Sequence, residues 1–138
     1  MKIIQQIVEA NGGLHEGLYL RVENPPWMTL VIEHIGVGPR GLPMLSVAHY
    51  YEQSGDAMRD PDVEAEIATD GLDGWRFLPV SYRQDGLGLL QTAVWQNDET
   101  GQVLLKPVLV EDLNGFLRTW NRNLSEQGFG KATVEVLG

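Results

Sequence analysis

The sequence predicts an α+β fold: a single globular domain over residues 1–138, in which an antiparallel sheet of hairpin-connected strands carries a short N-terminal helix and a longer amphipathic C-terminal helix packed on the sheet. Three observations support this class. Short apolar or alternating runs fill residues 17–106, turn signals separate these runs, and helical spacing is confined to the two ends. A chain of 138 residues also has the size of one domain.

The first predicted element is a helix at residues 2–10. Glycines at positions 12 and 13 follow it, and glycine readily adopts the left-handed conformation that ends a helix. The apolar residues at helical spacing are Ile3, Ile4, Ile7 and Val8. Two strands are then expected at about 17–23 and 28–36, separated by a Pro-Pro pair that cannot donate to a sheet ladder. The glycine- and proline-rich run 36–43 predicts a loop.

A β-hairpin is the next predicted unit. Its strands are expected at 45–52 and 62–67, joined through a turn at Gly55-Asp56. Pro61 is expected to open the second strand, because proline is awkward inside one. Two more hairpins are predicted around Asp85-Gly86 and around residues 97–101.

The spacing of apolar residues changes after Pro107 and predicts an amphipathic helix at about 110–127. Its apolar stripe consists of Leu113, Phe116, Leu117, Trp120 and Leu124. Gly128 is well placed to end this helix, and residues 131–137 are expected to add a last strand.

Composition excludes several classes of protein. The chain has no cysteine, so it forms no disulfide and no thiolate–metal site, which is typical of a reducing compartment. The first residues lack the pattern of a signal peptide, and no apolar run approaches the roughly 18 residues of a membrane span. We therefore expect a soluble, cytoplasmic protein that does not associate with a membrane. No nucleotide-binding motif is present, so no cofactor is predicted.

The negative charge is concentrated in one region. The formal net charge is -9, which disfavours direct nucleic-acid binding. Residues 52–73 hold eight acidic side chains and one arginine, and eight minus one leaves a net -7 in this region. Four of these acids alternate along the predicted strand: Asp60, Asp62, Glu64 and Glu66. We expect them to form a solvated face opposite Val63, Ala65 and Ile67. Carboxylates in a row do not converge, so no metal site is predicted.

His49 and Arg59 are the residues of this region best suited to chemistry. His49 shares a predicted face with Leu45 and Val47, so it is expected in the core, although a carboxylate beside it would make it a candidate general base. Arg59 is expected to bridge Asp56 and Asp60, or alternatively to clamp an anionic ligand. The candidate functional cluster comprises His49, Tyr51, Glu52, Asp56, Arg59, Asp60 and Arg122. No residue is assigned a catalytic or metal-binding role.

Two long motifs carry a resemblance to a known family. They are "VAHYYEQSGDAMRDPDVE" at 47–64 and "DLNGFLRTWNRNLSEQGF" at 112–129. The chain resembles a family of small uncharacterised bacterial proteins that occur in chromosomes and on mobile elements. Ser54, Asp62 and Val63 depart from the family pattern. The resemblance implies no activity, cofactor or catalytic residue.

Three functional hypotheses follow. The first is a non-catalytic domain that binds a protein partner through the acidic hairpin, with mimicry of DNA charge as one variant. The second is a hydrolase or metal-dependent enzyme centred on His49, which requires Glu52, Asp56 and Asp60 to converge with it in a pocket open to solvent. The third is a small-ligand domain with an apolar pocket between sheet and final helix and with Arg59 or Arg122 at its mouth. The oligomeric state is not predicted.

Overall fold

The fold is described from a computed structural model that covers residues 1–71 and 74–138. In this part of the chain the α-helices are α1 (Lys2–Ala10) and α2 (Pro107–Glu126). The strands are β1 (Tyr19–Glu23), β2 (Thr29–Val37), β3 (Pro43–Gln53), β4 (Asp56–Ala68), β5 (Arg76–Gln84), β6 (Leu89–Thr92), β7 (Val94–Gln96), β8 (Val103–Leu105) and β9 (Thr133–Val136). The predicted α+β class is confirmed. Asp73, which was counted in the acidic region, lies outside the described residues.

Seven strands form one antiparallel sheet in the order β6-β5-β4-β3-β2-β1-β9. The strands from β1 to β6 are neighbours in sequence order, as expected for hairpin connections. The predicted last strand, β9, pairs with β1 and forms the edge of the sheet on that side. The hairpin predicted around 97–101 forms a separate two-stranded sheet of β7 and β8.

Both helices pack on the same face of the large sheet. Their buried residues join one core with alternate residues of β1 to β4. The strand residues in this core are Leu20, Val22, Leu30, Ile32, Leu45, Val47, Val63 and Ile67. Because successive strand residues point to opposite sides, the residues between them form a second face on which neither helix packs. We call this second side the helix-free face.

The central strands are bent by three register shifts. They lie between His34 and Gly36 in the pairing of β2 with β3, between Ala48 and Tyr50 in β3 with β4, and between Glu64 and Ala65 in β4 with β5. A β-bulge bends the strand and increases the local twist of the sheet. Three neighbouring bulges therefore curve the middle of the sheet, and polar residues of the helix-free face are buried there without a covering helix.

The prediction that Pro61 opens the second hairpin strand is wrong. β4 begins at Asp56 and runs through Pro61. Between the pairs Tyr50–Arg59 and Ala48–Asp62, β3 has one residue, His49, and β4 has two, Asp60 and Pro61. Proline is tolerated inside a strand at such a bulge, where it does not need to donate to the ladder.

The tip of the same hairpin also differs from the prediction. Gln53 pairs with Asp56, so the turn is Ser54-Gly55 rather than Gly55-Asp56. Ser54 has φ 52° and Gly55 has φ 85°. Two consecutive residues with positive φ are the mark of the type I′ turn, whose twist matches that of the flanking strands.

Glu66 anchors the loop between β2 and β3 across the helix-free face. Its side chain is fully buried and forms an ion pair of 2.9 Å with Arg40. The backbone N–H groups of Arg40 and Leu42 donate to the same carboxylate at 3.0 and 3.2 Å. Gly38 lies so close that a β-carbon there would overlap the Glu66 side chain. The prediction that Asp62 and Glu66 lie on a solvated face is therefore wrong, because Asp62 is also only 7% exposed.

We expect Glu66→Ala to lower the free energy of unfolding by about 3 kcal/mol, because it leaves an arginine and two backbone donors without their acceptor. Urea unfolding measures the change. The matched control is Glu23→Ala, which removes an exposed pair of 3.1 Å with Arg21 and should cost less than about 1 kcal/mol. Equal losses for the two variants would contradict the anchoring role of Glu66.

Candidate functional site

The end of the β3–β4 hairpin protrudes beyond the rest of the sheet. β2 pairs with β3 only as far as Tyr50, and β5 pairs with β4 only from Asp62 onward. Residues 51–58 pair only with each other and form a two-stranded ribbon. Within this ribbon the side chains of Glu52 and Asp56 are exposed. The acidic charge that reaches solvent at the tip therefore comes from these two residues.

A groove of about 480 Å³ lies on the helix-free face at the base of the ribbon. Its lining residues are Tyr19, Arg21, Thr29, Val31, Tyr50, Tyr51, Glu52 and Ala57. Burial raises the pKa of Tyr50, and the nearby carboxylate of Asp62 raises it further. Tyr50 is thus a neutral hydrogen-bonding group in the lining of the groove.

Arg59 links the hairpin to the turn after β5. Its backbone N–H and its Nε both donate to Asp85 Oδ2, at 2.9 and 3.0 Å. Its Nη1 lies 3.6 Å from Asp62 Oδ2. The backbone hydrogen bond from Arg59 is the largest cause of the lowered pKa of Asp85, and the guanidinium lowers it further. Arg59 therefore bridges Asp62 and Asp85, and the predicted bridge between Asp56 and Asp60 is not formed.

Asp62 is a buried carboxylate in the middle of the helix-free face. Its Oδ1 accepts a hydrogen bond of 2.7 Å from Ser46 Oγ. Burial raises the pKa of Asp62, and the hydrogen bond from Ser46 opposes that shift. Beside it, Ser81 Oγ donates to Glu64 Oε1 at 2.8 Å. Each of these two acids thus accepts a hydrogen bond from a serine of a neighbouring strand.

His49 lies on the opposite, helix-covered face. Its ring packs against Trp120 and Phe129, with centroid distances of 5.6 Å to each, and the residue is 7% exposed. Its Nδ1–H donates to the backbone oxygen of Met28 at 3.1 Å. Burial lowers the pKa of His49. The histidine is a hydrogen-bonded core residue and is not open to solvent.

The structure separates the candidate cluster into four groups. Tyr51, Glu52 and Asp56 belong to the ribbon, and Arg59 lies on the helix-free face beside Asp62. Asp60 is placed on the side of His49, whose pKa its charge affects. Arg122 is exposed on α2 and, among the described residues, forms no hydrogen bond or ion pair. The convergence of His49, Glu52, Asp56 and Asp60 that the enzyme hypothesis requires is not formed.

Several residues of this surface were not among the sequence candidates. Tyr19, Arg21 and Tyr50 line the groove, and Asp85 holds Arg59. Their proximity depends on the pairing of distant strands. Only Tyr50 carried a signal, because it belongs to the "AHYYEQ" motif that also contains Tyr51.

Over residues 1–71 and 74–138, no three His, Asp or Glu side chains are grouped so that they could hold a metal ion. In the same residues, neither helix combines the length and the apolar character that crossing a membrane requires.

We expect His49 to make stability depend on pH near neutrality. A lowered pKa in the folded state means that this contribution is fully present above the ordinary value of 6.5 and is lost as the pH falls through the folded pKa. His49→Phe keeps an aromatic ring but cannot be protonated. The stability of the wild type relative to this variant should therefore fall as the pH is lowered from 7 to 5 in urea unfolding. His15→Gln at an exposed position is the control, and a difference that does not vary with pH would contradict the prediction.

The opposite dependence is expected for Asp62. Its raised pKa means that the contribution is present below the ordinary value of 3.8 and is lost as the pH rises through the folded pKa. Asp62→Asn retains an acceptor for Ser46 and removes the charge. The variant should therefore gain stability relative to the wild type as the pH rises above 3.8, measured by urea unfolding. The exposed Asp98→Asn is the control. If Asp62→Asn instead gains stability relative to the wild type as the pH is lowered, the prediction is wrong.

Comparison with known proteins identifies a family but no characterised relative. The profile described as Domain of unknown function (DUF6908) matches residues 2–130, which include both helices and eight of the nine described strands. No curated protein and no solved structure matches the chain. The protein belongs to the DUF6908 family of domains of unknown function.

Proposed function

We propose that this protein is a non-catalytic module that binds a partner protein through the ribbon 51–58 and the groove at its base. The observation that carries the proposal is the groove of about 480 Å³, lined by Tyr19, Tyr50 and Tyr51, beside a protruding acidic tip. Tyrosine is enriched at protein interfaces because it offers a large contact area together with a hydrogen-bonding hydroxyl.

The charges of the hairpin support a basic partner. Asp62, Glu66 and Asp85 are each paired with an arginine. Among the described residues, Glu52 and Asp56 belong to no ion pair, and both are exposed. Charges at the rim of an interface steer the encounter with a partner of opposite charge and select against partners of like charge. We therefore infer a partner surface that presents lysine or arginine to the tip.

The position of the buried acids argues for a compact contact rather than mimicry of DNA. Such mimicry requires acids spread over a face at phosphate-like spacing. Asp62 and Glu66 are 7% and 0% exposed, so they do not present charge along β4. The contact that we infer places basic side chains at the ribbon and an apolar or aromatic anchor in the groove.

The setting of this interaction is also inferred. The resemblance of the two motifs supports an origin in bacterial chromosomes and mobile elements. The absence of cysteine from the 138 residues supports a cytoplasmic location.

The test reverses charge at the tip. Glu52→Lys combined with Asp56→Lys should weaken binding to a partner cross-linked and purified from host cytosol by about tenfold or more, because like charges then face each other. Binding is measured by interferometry with the purified partner, and thermal unfolding checks the fold. Asp98→Lys combined with Glu99→Lys changes the net charge equally in the exposed loop between β7 and β8 and should leave binding unchanged. Undiminished binding by the tip variant, or equal loss in the control, would refute the proposal.

A further inference from the structure

Some of the basic residues of this acidic protein are paired with neighbouring acids. Of the ten basic side chains, four arginines form ion pairs in the described structure. They are Arg21, Arg40, Arg59 and Arg76. Lys106 lies over the ring of Trp95, with Nζ 5.9 Å from its centroid. Two of the remaining cations, Lys2 and Arg118, share one cavity.

This cavity, which we call the cleft, has a volume of about 180 Å³ and lies between α1, α2 and the start of β5. Lys2 comes from α1 and Arg118 from α2. Asn114 and Asn121 add side-chain amides, and Phe77 and Leu117 add apolar surface. No carboxylate lines the cleft in the described residues. Two basic residues, together with Met1, thus line the same small space, and none of the described residues that line it is acidic.

One hydrogen bond of Asn121 determines which end of its side-chain amide is left for another partner. Its Oδ1 accepts a hydrogen bond of 2.9 Å from the backbone N–H of Ile3. The amide nitrogen of Asn121, which is donor only, is therefore the end of the side chain that remains for another partner. Asn114 and Arg118 lie four residues apart on α2 and so project from the same side of the helix. Ammonium, guanidinium and amide donors accordingly surround a space whose charged lining is entirely cationic.

We propose that the cleft binds the oxyanion group, phosphate or carboxylate, of a small ligand. Arginine presents a planar set of N–H donors that matches both groups, and lysine adds a point charge. Pockets for drug-sized ligands have volumes of about 300–1,000 Å³, so a cleft of 180 Å³ admits an anionic group with little attached to it. The surfaces of Phe77 and Leu117 lie beside these donors, so the cleft also offers apolar contact to the part of the ligand that carries the anionic group.

The site differs from the pocket predicted by the small-ligand hypothesis. Arg118 takes the place expected for Arg59 or Arg122, because Arg59 lies on the helix-free face and Arg122 does not line the cleft. The lining residues are Met1 and residues of α1, α2 and β5, and they include none of the ribbon. This proposal and the proposed protein interaction can therefore fail independently.

The test is an NMR titration of the isotope-labelled full chain with sodium phosphate and, separately, with sodium acetate at constant ionic strength. We expect saturable shifts of the side-chain amides of Asn114 and Asn121 and of Arg118 Nε–H. Arg118→Gln and Lys2→Gln should each raise the dissociation constant about tenfold or more, since charged hydrogen bonds are lost. Saturation with either anion supports the site, and the tighter one identifies the group.

The matched control is Arg122→Gln, which removes the same charge from the same helix four residues away. It should change the dissociation constant less than about twofold, because Arg122 does not line the cleft. All three positions are exposed, so the variants should unfold at wild-type temperatures. The proposal is overturned if neither anion gives saturable shifts up to about 50 mM. It is also overturned if Arg122→Gln weakens binding as much as Arg118→Gln, because the chemical shifts would then depend only on the overall charge of the protein.

Discussion

The register shift between β3 and β4 determines which side chains of the central hairpin meet. In a regular strand Arg59 and Asp62, three residues apart, would point to opposite faces. The extra residue of the bulge places both on the helix-free face, where Arg59 reaches Asp62 and Asp85. His49 lies on the core side, between Trp120 and Phe129, because it alternates regularly with Leu45 and Val47 along β3. One additional residue in β4 thus brings the charged network together on the side of the sheet away from the core histidine.

Because some of its acids are buried, the hairpin presents less negative charge to solvent than its composition indicates. Removing a carboxylate from water is costly unless charged and hydrogen-bonding partners replace the lost hydration. Glu66 obtains these partners from Arg40 and the backbone of its loop. Ser46 and Arg59 offset the burial of Asp62 only in part, because its pKa is still raised. These acids hold strands and loops together. The charge offered to solvent at the tip is reduced to Glu52 and Asp56.

The elements of the fold were predictable where the sequence signal is local. The site was not predictable, because it depends on the pairing of strands that are distant in sequence. Helical spacing at 2–10 and the stripe from Leu113 to Leu124 report burial within a few residues, so both helices were located, although α2 begins at Pro107 rather than near 110. The bulge at Pro61 depends on how β4 pairs with β3. The alternating pattern predicted that Asp62 and Glu66 would be exposed like the other acids of the strand. A sequence does not show which loop or which arginine will cover a given strand position. The groove escaped prediction for the same reason, since Tyr19 and Tyr50 come from different strands.

The two proposed surfaces lie on opposite sides of the sheet and have opposite charge. At physiological ionic strength the screening length is about 8 Å, so the acids of the ribbon do little to repel an anion from the cleft, and local cations decide what binds there. β5 reaches the cleft and the polar cluster beside Arg59 on the helix-free face. It contributes Phe77 to the cleft, and Ser81 and Arg83 to the polar cluster around Asp62 and Glu64. A register shift lies between these positions, where Glu64 pairs with Ser81 and Ala65 with Pro79. The two regions that β5 reaches therefore lie on either side of this bulge.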